Sequence, residues 1–126
     1  MSKIITLDED NFASEVLQSR LPVMVDLFAE WCATCHQMRP TLESIAEEEG
    51  DRLRVAALDT DLYSGVTQDF FHFDLLPTFI LFVNGQQVAR MDGFHSQNEL
   101  LWEFEPFLAR RPSELAPPMT SPTSEY

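Results

Sequence analysis

Basic residues are scarce in this chain: eight Lys and Arg stand against twenty-one Asp and Glu, a formal charge of −13. Binding to nucleic acid, or to an anionic membrane surface, rests on cations that neutralise phosphates, so neither partner is expected. Cysteine occurs only twice, at positions 32 and 35, too few for a secreted scaffold stapled by disulfides. Long apolar runs are missing as well. The most apolar stretch, Leu75 to Val83, is interrupted by Pro77 and falls far short of the ~20 residues a membrane-spanning helix requires. The opening residues, Met1 to Asp10, carry acids where a secretory signal would need an apolar core, and a cytoplasmic protein is the expectation.

What remains is an ordinary globular composition, 44% hydrophobic and 23% charged over 126 residues, enough for one domain with one core. Strand and helix periods alternate along it, which predicts an α/β protein built on parallel βα units. Lys3 to Leu7 reads as a short strand, followed by a helix capped by Asp8 or Asp10 and running through Ser19. Leu21 to Ala29 is almost continuously apolar, the pattern of a central strand covered on both faces, and Asp26 alone interrupts it. A helix over Cys32 to Glu49 follows, with Met38, Leu42, Ile45 and Ala46 inward, a Glu47-Glu48-Glu49 run outward and a kink at Pro40. Leu53 to Leu58 is the next strand and Leu62 to Phe71 the next helix. Thr78 to Val83, Asn84-Gly85 and Gln86 to Met91 spell a hairpin with a type I′ turn. Ser96 and Glu99 form a capping box for a last helix carrying Leu100, Leu101, Phe104, Phe107 and Leu108, bent or ended early by Pro106. Residues 1–110 are therefore assigned to the domain. Residues 111–126, with four of the eight prolines and many Ser and Thr, are assigned to a flexible tail.

The chemistry concentrates in Trp31-Cys32-Ala33-Thr34-Cys35-His36, where the buried strand turns into a helix. Cysteines at i and i+3 share one side of the first turn, and their Cβ atoms, about 5–6 Å apart in an ideal turn, must close to about 3.5–4.5 Å to bridge. So short a loop adds only about 2 kcal/mol to stability, which makes the pair a poor staple and a good reversible switch. Cys32 falls at the positive end of the helix dipole, where a thiolate is stabilised, and is expected to attack; Cys35, one turn inside, is expected to resolve. Asp26, six residues before Cys32, is the candidate proton acceptor for Cys35, with burial raising its pKa. Cys32, Cys35 and His36 also spell a c-type haem attachment motif, but that attachment follows export. Zinc would have to recruit His72 or His95 to complete four ligands. Neither is expected; the cysteine pair needs no cofactor. Phe70, Phe71 and Phe73 are assigned to packing.

Over residues 1 to about 110 the sequence resembles the thioredoxin family. The resemblance rests on Val25-Asp26-Leu27-Phe28-Ala29-Glu30-Trp31-Cys32-x-x-Cys35, Pro40, Leu76-Pro77-Thr78, Val83-Asn84-Gly85 and Gly93, in order and at matching spacing. It implies a thioredoxin fold, a central mixed sheet flanked by helices in the order βαβαβαββα, and thiol–disulfide exchange with protein substrates at Cys32 and Cys35. It further implies a cis bond between Leu76 and Pro77, and a groove of Trp31, Leu76, Pro77 and Gly93 that holds an extended client by main-chain pairing. Implied partners are protein disulfide clients and a disulfide reductase donor, with the protein a monomer. The alternative is a binding module of the same fold, holding a client beside Pro77 with little turnover.

Five positions depart from the family pattern: Ala33-Thr34 replaces the usual Gly-Pro, Ala57 the usual lysine near the buried acid, and His72 and Leu75 replace glycines. Without proline at position 34 the helix start is less stiff, which changes the relative stability of dithiol and disulfide. The Cys32–Cys35 couple is expected to be less reducing than about −270 mV, and Thr34→Pro to lower its potential. Titration against a dithiothreitol redox buffer measures both; a value at or below that figure, or no shift in the variant, contradicts the expectation.

Overall fold

A computed structural model describes residues 2–109, so the tail assigned to residues 111–126 lies outside the described residues. Five strands form one mixed sheet in the order β1-β3-β2-β4-β5: β1 (Ile5–Thr6), β2 (Val23–Phe28), β3 (Arg54–Asp59), β4 (Thr78–Val83) and β5 (Gln86–Asp92). β1, β3 and β2 run parallel, while β4 lies antiparallel to β2 and β5 to β4. β2 is thus central. Its residues 23–27 are all buried, as continuous apolar sequence requires of a strand covered on both faces.

Alternation along β2 sorts its side chains between two layers. Met24 and Phe28 face helices α1 (Ala33–Glu48) and α3 (Gln97–Phe104), packing with Met38, Leu42, Ile45, Leu100 and Phe104. Val23, Val25 and Leu27 face the other side, with Phe12, Val16, Ile80 and, from α2 (Ser64–Phe70), Val66. On that side Phe12 meets the rings of Phe70, Phe71 and Phe82 at centroid distances of 4.9, 5.7 and 6.3 Å, so Phe70 and Phe71 do pack.

The structure corrects several details. The first strand is two residues long, and the first helix is a single π-helical turn over Ala13–Leu17 rather than a helix through Ser19. Asp8 does act locally, its Oδ1 accepting from the N–H groups of Asp10 and Asn11, but this builds a turn ahead of the helix instead of capping it. Ser19 ends the segment, its hydroxyl donating to the carbonyl of Leu21 just before Pro22. Pro40 is carried inside α1, which runs unbroken to Glu48. The capping box of Ser96 and Glu99 is present, and α3 gives way at Glu105 to a 3₁₀ turn containing Pro106.

Glu49 is not on a solvated face but 1% exposed. Arg52, itself 4% exposed, explains the burial: its Nε donates to Glu49 at 2.7 Å, while Nη1 and Nη2 donate to the two oxygens of Glu105 at 2.7 and 2.9 Å. Nη1 also reaches the carbonyl of Ala109 at 3.4 Å. A planar guanidinium with several donors is suited to such a bridge, here between the turn after α1 and the chain after α3.

The hairpin turn has positive φ at both Asn84 (53°) and Gly85 (79°), as a type I′ turn demands. At Gly85 an added Cβ would also lie 2.7 Å from the carbonyl oxygen of Leu17. Gly85→Ala should therefore destabilise by about 1–3 kcal/mol. Gly65, in α2 with open space around it, should behave oppositely, Gly65→Ala raising stability by about 0.5–1 kcal/mol through helix propensity. Urea unfolding of the two variants beside the parent tests the pair.

Candidate active site

The cysteines sit where β2 hands over to α1. Cys32 is the N-cap of that helix: its backbone is extended, its N–H donates to the carbonyl of Ala29 at 3.1 Å, and its sulfur accepts the N–H of Cys35 at 3.2 Å. The two sulfurs are joined in a disulfide with Cα atoms 5.2 Å apart, inside the range such bridges adopt. Both residues are about 5% exposed, and they form a small cluster with Ala29, against which Phe28 and Leu76 pack. A reduced sulfur at Cys32 would face unsatisfied amides at a helix N-terminus, which favour the thiolate.

The other residues of the expected groove converge on the same edge of the sheet. Trp31 is 71% exposed, and its indole N–H donates to Asp61 Oδ2 at 2.8 Å. The Leu76–Pro77 peptide is cis, and the Pro77 carbonyl accepts the N–H of Gly93 at 2.7 Å, where the chain turns with φ of 87°. The loop before Pro77 is tied down twice, by Thr78 Oγ1 donating to the Leu75 carbonyl at 2.7 Å and by Arg90 donating to the His72 carbonyl at 2.7 Å.

Asp26 lies within the α1-facing layer, 1% exposed, and among the described residues its Oδ1 has no hydrogen-bond partner. Desolvation pushes its pKa up from 3.8 to about 7, against an opposing pull from Arg39. Its neighbours across the sheet, Ala57 on β3 and Phe79 on β4, supply no donor. A carboxyl poised near neutrality can take up or return a proton under physiological conditions.

Three contacts escaped the sequence reading. Asp61 holds Trp31, and it could have been suspected because β3 runs parallel to β2, so the loops that follow them lie on one edge. His36 makes a hydrogen bond of 2.7 Å between its Nε2 and the carbonyl of Glu30, bracing the turn before Cys32. Arg39 places its guanidinium 5.5 Å from the centre of the Phe28 ring. The remaining histidines are engaged elsewhere, His72 beside Asp74 at 4.0 Å and His95 beside Glu99 at 3.4 Å. Among the described residues no group of three or more His, Cys, Asp or Glu could hold a metal ion.

A mixed sheet with a vicinal cysteine pair capping the helix after its central strand defines a thiol–disulfide oxidoreductase. The family model for thioredoxin matches residues 3–105. Thioredoxin of Mycolicibacterium smegmatis is 40% identical over 103 residues, covering 81% of this chain and 92% of that protein. A thioredoxin-like protein of Synechocystis is 35% identical over 98 residues, covering 78% and 92%. A bifunctional thioredoxin reductase/thioredoxin of Mycobacterium leprae is 39% identical over 97 residues, covering 77% of this chain and 21% of its own. The chain belongs to the thioredoxin family, whose members act on protein disulfides. No helix among the described residues is long and apolar enough to cross a membrane.

Burial of Asp26 has a cost that depends on pH. In the unfolded chain the carboxyl ionises near 3.8, whereas the folded protein keeps it protonated to about 7. Folding then takes up a proton between those values, so stability falls as pH rises through that window, by about 4 kcal/mol in all, and levels off above it. Asp26→Asn removes this slope. It should be the more stable protein at about pH 8, with the advantage fading toward about pH 4. Urea midpoints at both pH values check this; equal midpoints at the higher pH would contradict it.

Proposed function

We propose that Cys32 is the attacking sulfur of a protein-disulfide reductase and Cys35 the resolving one, with Asp26 as proton acceptor. The Cys32 thiolate attacks one sulfur of a client disulfide, forming a mixed disulfide and releasing one client thiolate, which takes a proton. The Cys35 thiol then gives its proton to Asp26 and attacks Cys32 Sγ. The second client sulfur leaves, protonated in turn, and the Cys32–Cys35 disulfide remains; two electrons have passed to the client. The observation that carries this reading is the N-cap position of Cys32, with its sulfur accepting the N–H of Cys35 in the first turn of α1.

Trp31, Leu76, Pro77 and Gly93 form the client groove in this reading, with Leu76 against the sulfurs and an extended segment pairing with the main chain beside Pro77. A disulfide reductase returns the electrons; support comes from the fusion of the two activities that the Mycobacterium leprae relative's description states. The protein works in the cytoplasm as a monomer, without cofactor or metal. The charge of −13 favours clients with basic surroundings at low salt.

Cys35→Ser removes the escape route and should leave Cys32 joined to clients as adducts visible on non-reducing gels. Cys32→Ser should trap nothing. Equal trapping by both would overturn the assignment of roles, and trapping by neither would favour the binding module. Asp26→Asn should slow the resolving step by about tenfold or more while sparing the first attack. An unchanged rate would make Asp26 a structural residue only.

A further inference from the structure

Asp26 is buried on a face of β2 that presents almost no charge. Its neighbours in the adjacent strands are Ala57 and Phe79, neither ionisable, and α3 contributes Leu100 and Phe104 to the same layer. Of the groups that can carry charge there, α1 brings Arg39 and, one turn back on the same helical face, the sulfur of Cys35, with Cys32 beside it; β3 brings Asp59, which pairs with Phe28 and whose Oδ1 is turned to the N–H groups of Asp61 and Leu62. Both sulfurs are uncharged in the disulfide. Phe28 lies two residues along β2 from Asp26 and so shares its face. The Phe28 ring packs against the cluster of Cys32 and Cys35, and the Arg39 guanidinium lies 5.5 Å from its centre. The cation is thus stationed over a ring that packs against both the sulfur cluster and the α1-side core, on the same side of the sheet as the acid.

We propose that Arg39 is the counter-cation of Asp26, a positioning residue that favours the ionised, proton-accepting carboxylate and acts on the sulfurs only through it. The inference rests on the reading of Asp26 as the proton acceptor for Cys35 and adds the group that sets its charge. A cation borne on α1 differs in kind from one borne on a neighbouring strand. It arrives at helical spacing from Cys35, and the aromatic ring beneath it holds it in place by attraction to the ring face. Burial drives the Asp26 pKa up and Arg39 pulls it back, so the two oppose each other as this placement requires.

The test reads Asp26 directly rather than through turnover. In oxidised protein labelled with ¹³C at aspartate, the Asp26 carboxyl carbon is followed against pH and assigned by its loss in Asp26→Asn. Arg39→Gln should move the midpoint upward by about one pH unit, and Arg39→Lys should return most of that shift. Arg54→Gln, a control at an ion pair with Glu15 away from this layer, should leave it in place. An unmoved midpoint in Arg39→Gln, or no recovery in Arg39→Lys, overturns the proposal. Should Arg39→Gln fail to fold, the unsubstituted protein decides: the Arg39 Nε resonance should titrate with the Asp26 midpoint and lose that step in Asp26→Asn, and a flat Nε profile overturns the proposal. Loss of activity in Asp26→Asn bears on the proton-acceptor reading alone, so the two can fail separately.

Discussion

The central strand is covered on both faces, and every polar atom placed on it is cut off from water. Val23, Val25 and Leu27 meet that constraint by being apolar; Asp26 does not, and the chain carries it one residue from the middle of the sheet at a cost to stability above the acid range. Much of the local arrangement follows from hosting that carboxyl. The strands on either side present small or aromatic residues, and the turn after β2 delivers two sulfurs to the layer above. Phe28 belongs to both the core and the sulfur cluster, so packing and chemistry share a side chain.

Strand direction then decides what can meet the sulfurs. β2 and β3 run the same way, β4 runs against β2, and β5 against β4. The end of β2, the end of β3, the start of β4 and the end of β5 therefore share one edge. Trp31, Asp61, Leu76 with Pro77, and Gly93 arrive there from four separate stretches of chain. Short bonds between those stretches tie Trp31 to Asp61 and Gly93 to Pro77; in the groove proposed above, such ties would lower the ordering cost of binding.

The elements with strong periodicity or turn chemistry were legible in the sequence. β2, the Asn84-Gly85 hairpin, the Ser96 capping box and the cysteine pair at a helix start each follow from a local rule, and all are present. The first helix was misread because Asp8 has two uses, a cap or a turn, and only packing of Phe12 and Val16 decides between them. Glu49 looked like one more surface acid because Glu105, which shares its arginine, lies far along the chain. Arg39 was invisible for the same reason, its ring partner being brought near by helix docking that no short window of sequence contains, and Asp61 comes into view only once β2 and β3 are known to run parallel.

The bridge from Arg52 to Glu49, Glu105 and Ala109 sits at the far end of α1 from Cys32. A helix of 16 residues is about 24 Å long, so Ala109 is anchored roughly that distance from the reactive edge. A surface, a dye or a second protein attached at this point would stand clear of an incoming client. Mechanical load applied there would meet a buried, multiply bonded guanidinium before it reached the helix that carries the sulfurs. The domain can therefore be tethered from its closed end while its open end continues to exchange electrons.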